Sequence, residues 1–140
     1  MTRIEPPVTD LSAPFWESTK DRSLTAQHCR DCQRWVWYPR SFCPGCLGSA
    51  GLEWAEVGGI GRIYACNVMR KPGNPMMGDD VPYVIALVDL DEGYRMSTNI
   101  VGVPPEDVAC GQRVVVDWSH ELSDGRRLPM FTPAERVESE

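Results

Sequence analysis

The sequence has no long hydrophobic run and no leader-like start. No apolar stretch approaches the roughly 20 residues that a membrane-spanning helix requires. The N-terminal segment MTRIEPPVTDLSAPFW contains acids and lacks the apolar core of a secretory signal. We therefore expect a protein without a membrane span, located in the cytoplasm, where cysteines stay reduced.

Basic charge is also scarce. The chain has 14 Lys and Arg residues against 20 Asp and Glu residues, which gives a formal net charge of −6. A negative chain is repelled by phosphate backbones and by anionic membrane surfaces. This balance disfavours nucleic acid as the main partner.

The familiar catalytic motifs are missing as well. The sequence has neither a glycine-rich phosphate loop nor a G-x-S-x-G elbow. His120 and Glu121 are adjacent on a strand candidate, so their side chains point to opposite faces and form no dyad. Cys66 and Cys110 have no evident base and are expected to be buried as small hydrophobes. We expect no catalytic residue in this chain.

Two close pairs of cysteines are the strongest signal present. CRDC is followed, after ten residues, by CPGC, so that two knuckles are formed by Cys29, Cys32, Cys43 and Cys46. Each CxxC turn aims two thiolates at one point, and two such turns give tetrahedral four-sulfur coordination. The spacing therefore predicts one bound metal ion.

Zinc is the expected metal. Zinc accepts four tetrahedral thiolates without any redox demand, and iron, the second choice, also accepts this geometry. Four thiolates leave no position for a water ligand, so the site is predicted to be structural. A rubredoxin-like electron carrier that holds iron is the alternative.

The segment between the knuckles is rich in aromatic side chains. Alternation along a strand places Trp35 and Trp37 on one face, and Tyr38 and Arg40 follow. Trp, Tyr and Arg are enriched at the hot spots of protein interfaces. The pattern fits a partner-binding surface made by these four residues, and it fits equally well the packing of the rings between the ribbon and the rest of the chain.

The remaining sequence predicts mainly β structure. PFWESTK predicts a short helix that ends near Lys20, and strand candidates follow at 52–57, 60–70, 83–90, 94–101, 112–121 and 126–131. The strand at 83–90 is apolar on both parities up to Val88, which predicts coverage of both faces. A closed five-stranded OB-type barrel fits, because closure removes exposed edges. Strand count alone does not separate it from an SH3-like barrel.

The motifs and their order resemble the DUF35 family. The matching runs span residues 14–133 and are PFWES, QHCRDCQRWVWYPRSFCPGC, EWAEVGGIGRIYACNVMRKP, PYVIALVDLDEGYRMSTNIVGVPPEDVACGQRVVVDW and DGRRLPMFTP. The resemblance implies an N-terminal arm with a short helix at 1–28, a rubredoxin-like zinc ribbon at 29–50 that uses the four cysteines, and an OB-fold domain at 51–140. The chain departs from the family pattern at DRSLTAQHC, which lacks a Gly-Glu-Leu, and at Gln33, which replaces a Gly.

The resemblance also implies a role. Proteins of this family resemble accessory subunits of thiolase-like or hydratase-like acyl-CoA enzymes, and their OB domain is a candidate acyl-CoA binder. We therefore expect a non-catalytic partner of such an enzyme. Direct binding of acyl-CoA would need cations for its phosphates, and the candidates are Arg70, Lys71, Arg126 and Arg127. Single-stranded nucleic-acid binding by the barrel is a further alternative, which the net charge disfavours.

Overall fold

The computed structural model describes residues 6–70 and 82–134. These residues form a short helix, a three-stranded sheet and a closed five-stranded barrel. The mainly β architecture predicted from the sequence is confirmed. Within the described ranges no helix is long and apolar enough to cross a membrane. Lys71, one of the predicted CoA contacts, lies outside the described residues.

Helix α1 spans Ala13–Lys20. Its start is fixed by Thr9 and Ser12, which exchange hydrogen bonds: the Thr9 N–H donates to Ser12 Oγ at 3.0 Å and the Ser12 N–H donates to Thr9 Oγ1 at 3.1 Å. Pro14 occupies the first turn, where a missing N–H leaves no helical hydrogen bond unmade. The predicted short helix is therefore present with the predicted end.

The end of α1 is a tight cap centred on Arg22. The Ser23 N–H donates to the Ser18 carbonyl at 3.0 Å and the Arg22 N–H donates to the Thr19 carbonyl at 3.1 Å. This pair of bonds is the Schellman pattern, in which one residue adopts a left-handed conformation. That residue is Arg22, with φ of 59°.

The ribbon is built on a three-stranded antiparallel sheet. Strand β1 (Thr25–Cys29) lies between β2 (Arg34–Val36) and β3 (Leu52–Glu56). Strand β2 lies between the two knuckles and pairs with β1. The predicted division assigns β3 to the OB unit that begins at residue 51, whereas β3 hydrogen-bonds to β1 along its whole length. The three-part division of the chain stays a prediction.

The barrel consists of β4 (Ile60–Met69), β5 (Tyr83–Leu90), β6 (Arg95–Ile100), β7 (Arg113–Asp117) and β8 (Met130–Pro133). Its strand order is β4-β5-β6-β8-β7, and β7 closes the barrel by pairing with β4. The β6–β8 pair is parallel and the other pairs are antiparallel. This closed Greek-key order is that of an OB-type barrel.

Strand β5 shows how the barrel core is filled. Val84, Ala86 and Val88 point inward and are at most 2% exposed, whereas Ile85 and Leu87 point outward and are 37% and 36% exposed. The expectation that both faces of this strand are covered is therefore wrong for the chain as described. Apolar residues at both odd and even positions are compatible with a strand covered on both faces, but they do not require it.

The last predicted hairpin forms later in the chain than expected. Strand β8 begins at Met130, and the earlier part of the predicted strand makes a single bridge between Glu121 and Arg127. Pro129 lacks an N–H and cannot donate to a strand ladder, which explains why pairing is delayed past it.

Candidate metal centre and its surroundings

The four predicted ligands converge on one point. Their sulfur atoms all lie within 4.8 Å of one another. The Sγ atoms of Cys29 and Cys46 are 3.7 Å apart, and those of Cys32 and Cys43 are 3.4 Å apart. A tetrahedral ion with bonds of about 2.3 Å would hold its sulfurs about 3.8 Å apart. The thiol set is therefore positioned to bind one metal ion of this size.

The two knuckles share one backbone design. The Gln33 N–H donates to the Cys29 carbonyl at 2.8 Å, and the Leu47 N–H donates to the Cys43 carbonyl at 2.7 Å. Both residues that close these turns are left-handed, with φ of 60° at Gln33 and 64° at Leu47. Neither is a glycine, although this conformation favours glycine.

Backbone dipoles prepare the site for an ion. Hydrogen bonds from the backbone N–H groups of Cys46 and Gly45 lower the pKa of the Cys43 thiol to about 6. Hydrogen bonding to Cys43 and burial raise the pKa of Cys32 to about 11. One thiolate therefore forms readily while its neighbour resists a second negative charge, and a bound cation relieves that resistance. Thiophilic divalent ions fit this donor set.

The two tryptophans after the first knuckle share a face, as predicted. The rings of Trp35 and Trp37 lie 6.0 and 5.4 Å from the ring of Tyr94 on the barrel, and Trp37 also lies 5.3 Å from Phe15 of α1. Both tryptophans are half-buried. They join the ribbon to the barrel and the helix, so at least part of their surface is used within the chain.

The other two predicted partner-binding residues are more open. Tyr38 is 57% exposed, and the side chain of Arg40 lies at the surface. The buried Gln27 holds the Arg40 backbone, accepting from its N–H at 2.7 Å and donating to its carbonyl at 2.9 Å. Partner binding by Trp35, Trp37, Tyr38 and Arg40 stays a prediction.

Arg126, one of the predicted CoA contacts, is 6% exposed. Its Nε donates to Asp124 Oδ2 at 2.7 Å and its Nη1 donates to the Pro6 carbonyl at 2.8 Å. Its guanidinium also lies 4.9 Å from the ring centre of Trp16. These contacts tie the N-terminal segment to the barrel. A role for Arg126 toward CoA stays a prediction.

Arg127 is used in a similar way. Its Nη1 donates to the Trp118 carbonyl at 2.8 Å and its N–H donates to Thr19 Oγ1 at 3.3 Å, while Glu121 lies 3.7 Å from Nη2. Arg70 is exposed at the end of β4. CoA binding by Arg70, Arg126 and Arg127 stays a prediction.

The two cysteines outside the knuckles differ in environment. Cys66 is half-buried and packs against the barrel core, as expected for a small hydrophobe. Cys110 is exposed, which contradicts the expectation of burial. Burial and the proximity of Cys110 raise the pKa of the Cys66 thiol.

One feature that the sequence did not reveal is an apolar groove. A cavity of about 290 Å³ lies between α1, the segment after β2 and the barrel. It is lined mainly by aromatic, Met and Pro side chains, which include Phe15, Trp16, Trp37, Pro39, Met96 and Met130. These residues come from distant segments, so the sequence pattern could not show that they form a groove. The only available signal was the aromatic content of the helix and the ribbon.

Comparison with known families identifies both parts of the chain. Residues 16–53 match the family model described as ChsH2, rubredoxin-like zinc ribbon domain, and residues 54–119 match ChsH2, C-terminal OB-fold domain. The fold and the cysteine site together define a protein with a zinc ribbon and an OB-fold. The chain belongs to the DUF35 family, and the resemblance noted in the sequence is confirmed.

Several known proteins are similar to this chain. A probable enoyl-CoA hydratase alpha subunit of Thermomonospora curvata is 37% identical over 132 residues, which cover 94% of this chain and 40% of that protein. A DUF35 domain-containing scaffold protein of Methanothermobacter thermautotrophicus is 33% identical over 111 residues, which cover 79% of this chain and 83% of that protein. The chain therefore spans less than half of the hydratase subunit and most of the scaffold protein.

Solved structures agree with this assignment. A structure named Ltp2-ChsH2(DUF35) aldolase matches with a TM-score of 0.81 and 37% identity, over 93% of this chain and 99% of the matched chain. A DUF35 protein from Sulfolobus solfataricus matches with a TM-score of 0.55 and 16% identity, over 76% and 77% of the two chains. The second match supports the fold alone.

Proposed function

We propose that this chain is a non-catalytic accessory subunit of a thiolase-like or hydratase-like acyl-CoA enzyme. The observation that carries the proposal is the match to nearly the whole DUF35 component of a structure whose name joins that component to Ltp2. Relatives named as a scaffold protein and as a hydratase alpha subunit support the same role. The activity would then belong to the partner enzyme.

The metal centre supports a structural part in this role. Four thiols fill a tetrahedral set, and a closed set leaves no place at the ion for a substrate or a water. We propose that the ion is zinc, held by the four cysteines, and that it supplies stability to a ribbon too small to fold on its own core.

The first experiment is recovery of the tagged chain from its own cells under native conditions, followed by mass spectrometry and metal analysis of the same sample. We expect a thiolase-like or hydratase-like enzyme in stoichiometric amount, and one zinc ion per chain. The iron alternative would instead give iron in that analysis and visible absorption from the iron–thiolate centre.

An acyl-CoA reaction catalysed by the homogeneous chain, with no enzyme present, would overturn the proposal. So would recovery of the chain with nucleic acid alone, which would favour single-stranded nucleic-acid binding by the OB barrel. The control is the Cys43→Ser chain, which is expected to lose the metal and to recover less enzyme if the ribbon takes part in docking.

The apolar groove favours a second property, contact with the acyl group itself. Its volume of about 290 Å³ lies at the lower end of ligand pockets. Its lining contains no Lys or Arg among the described residues, so it lacks partners for the CoA phosphates. The groove would therefore hold the apolar end of an acyl chain while the partner enzyme holds the CoA moiety.

Calorimetry distinguishes this property from simple CoA binding. We expect heat from octanoyl-CoA and none from free CoA at the same concentration, with quenching of tryptophan fluorescence because Trp16 and Trp37 line the groove. Equal binding of the two ligands would point to phosphate recognition elsewhere. Absence of binding for both would remove the acyl contact and leave the accessory role intact.

A further inference from the structure

Leu47 combines two unfavourable features at the second knuckle. Its backbone is left-handed, with φ of 64°, which costs roughly 1–2 kcal/mol for a residue with a side chain. Its side chain is 72% exposed. Leu47 therefore has a strained backbone and an apolar side chain that buries little surface within its own chain. Backbone strain persists mostly at functional positions, which suggests that the side chain contacts another molecule.

The first knuckle provides an internal comparison. Gln33 holds the equivalent position, with the same hydrogen bond to the first cysteine carbonyl and a φ of 60°. Its side chain contributes locally, since Nε2 donates to the Arg30 carbonyl at 2.7 Å. Leu47 has no polar group that could do the same, so the two equivalent positions differ in what their side chains do.

A second apolar side chain leaves the backbone beside Leu47. Phe42 precedes Cys43 and is 45% exposed. The Cys43 N–H donates to the Gly48 carbonyl at 2.8 Å, which joins the residues next to Phe42 and Leu47. The knuckle therefore presents a large aliphatic and a large aromatic side chain from adjoining backbone positions.

The second knuckle has no charged residue of its own, and Arg34 lies over its tip at Gly45, while Arg30 and Asp31 approach the far end of the segment at Ala50 and Gly51. Residues 41–52 contain no Asp, Glu, Lys or Arg. The exposed side chain of Arg34 reaches over Gly45, where a Cβ atom would collide with its Nε. The tip thus combines two apolar side chains with a guanidinium, and it complements an apolar pocket that has a carboxylate at its rim.

We propose that Leu47 and Phe42 anchor the ribbon in an apolar pocket of the acyl-CoA enzyme, with Arg34 paired to an acidic group at the rim. The inference rests on the proposed function and names the part of the ribbon that docks. Trp35 and Trp37, which pack against the barrel, then act behind this anchor by fixing the ribbon's orientation.

The size of the patch favours a pocket on another protein over a second copy of this chain. Two such tips packed together would bury roughly a few hundred Å², whereas stable interfaces bury about 1,200–2,000 Å². A pocket that surrounds the anchor can bury it fully and add contacts at the rim. Nucleic acid is disfavoured because the chain has a formal net charge of −6, which repels a phosphate backbone.

The test uses paired substitutions in the full chain and measures affinity for the enzyme recovered with the native protein. Leu47→Gly and Leu47→Ala are both expected to weaken binding about 10- to 30-fold, as loss of a hot spot does. Leu47→Gly is expected to raise the unfolding temperature, because the strain is relieved, and Leu47→Ala is not. If Leu47 were a purely structural residue, the affinity of each variant for the enzyme would rise or fall with its unfolding temperature.

The matched control is Gln33→Gly, which relieves the same backbone strain at the first knuckle. We expect it to stabilise the chain and to leave affinity within about twofold. Arg34→Gln is expected to weaken binding and to reduce its dependence on salt. Metal analysis of each variant confirms that the ribbon is intact.

The outcomes separate this inference from the proposed function. If the enzyme is recovered and Leu47→Gly binds it like the native chain, the docking inference is overturned and the accessory role stands. If no enzyme is recovered, both fall. The chain could instead self-associate or bind an oligonucleotide, and Leu47→Gly could abolish that binding. This result would show that the tip binds a different molecule, and it would also overturn the inference.

Discussion

Arg22 ends helix α1 in a conformation that favours glycine. Its φ of 59° belongs to the left-handed region, and the Schellman hydrogen bonds around it require that conformation. The residue is exposed, so little packing within the described chain offsets the backbone cost. Gln33, the closing residue of the first knuckle, has the same left-handed conformation, with φ of 60°.

We expect Arg22→Gly to raise the free energy of unfolding by about 1 kcal/mol. Glycine adopts φ near 60° without steric cost, although its greater freedom in the unfolded chain offsets part of the gain. Chemical denaturation monitored by tryptophan fluorescence measures the change.

Lys20→Gly, two residues earlier in the last turn of α1, is the control. It is expected to lower the free energy of unfolding by up to about 1 kcal/mol, because glycine is a poor helix former. A destabilising Arg22→Gly would mean that the arginine side chain stabilises the native state more than its backbone conformation costs.

At this scale the sequence was informative where chemistry is local. The spacing of the four cysteines predicted their convergence, because a CxxC turn directs its own ligands. The surroundings of the predicted CoA contacts Arg126 and Arg127 are set by distant segments. Their hydrogen-bond partners include Pro6 and Thr19, more than 100 positions away along the chain. Sequence pattern does not reveal which charges are used in such long-range contacts.

Several turns between elements contain a glycine, and Gly59, between β3 and β4, lies at a crowded one. Its φ is 73°, and a Cβ atom there would lie 2.6 Å from Val116 Cγ1. The Val116 N–H also donates to the Gly59 carbonyl at 2.8 Å. The corner therefore needs both a left-handed residue and the absence of a side chain.

We expect Gly59→Ala to lower the free energy of unfolding by about 2–4 kcal/mol, from backbone strain together with the clash against β7. Gly125→Ala isolates the first effect, because Gly125 has φ of 92° and a Cβ atom there would meet no described atom within 4 Å. It is expected to cost about 1–2 kcal/mol. Equal losses at the two positions would show that Val116 moves aside without cost.

Strand positions were predictable from alternation, whereas strand partners were not. Residues 52–57 were correctly predicted as a strand, but their pairing with β1 depends on the cysteine knuckles bringing residues 29 and 52 together. The shift of the last strand to Met130 follows from Pro129, a local signal that alternation alone did not weigh. Local propensity predicts that a segment forms a strand, whereas contacts between residues far apart in sequence determine which strands it pairs with.

At the scale of the whole molecule, the two sheets formed by residues 6–70 and 82–134 depend on different sources of stability. The barrel has a continuous apolar core, which includes Val88, Val114 and Phe131, none of them exposed to solvent. The core of the ribbon comprises Cys29, Val36 and Cys43 with the partly buried Leu52. So few apolar residues offset little of the entropy lost on ordering the ribbon, and we expect metal binding to supply the difference.

We therefore expect removal of the metal to unfold the ribbon and to leave the barrel folded. In NMR spectra, chelator should collapse the signals of residues 29–56, including β3, while the signals of β4 to β8 stay dispersed. Cys43→Ser should reproduce this result without chelator. The inclusion of β3 is specific to the observed pairing with β1, since a β3 that belonged to the barrel would keep its signals.

The aromatic contacts determine how far the effect spreads. Trp35 and Trp37 pack on Tyr94, which is 7% exposed in the native chain, so unfolding of the ribbon uncovers this part of the barrel. We expect the barrel of the metal-free chain to unfold cooperatively at a lower temperature. Dispersed ribbon signals without metal would show that these aromatic contacts are sufficient to hold the ribbon. Simultaneous loss of all signals would show that ribbon and barrel form one cooperative unit.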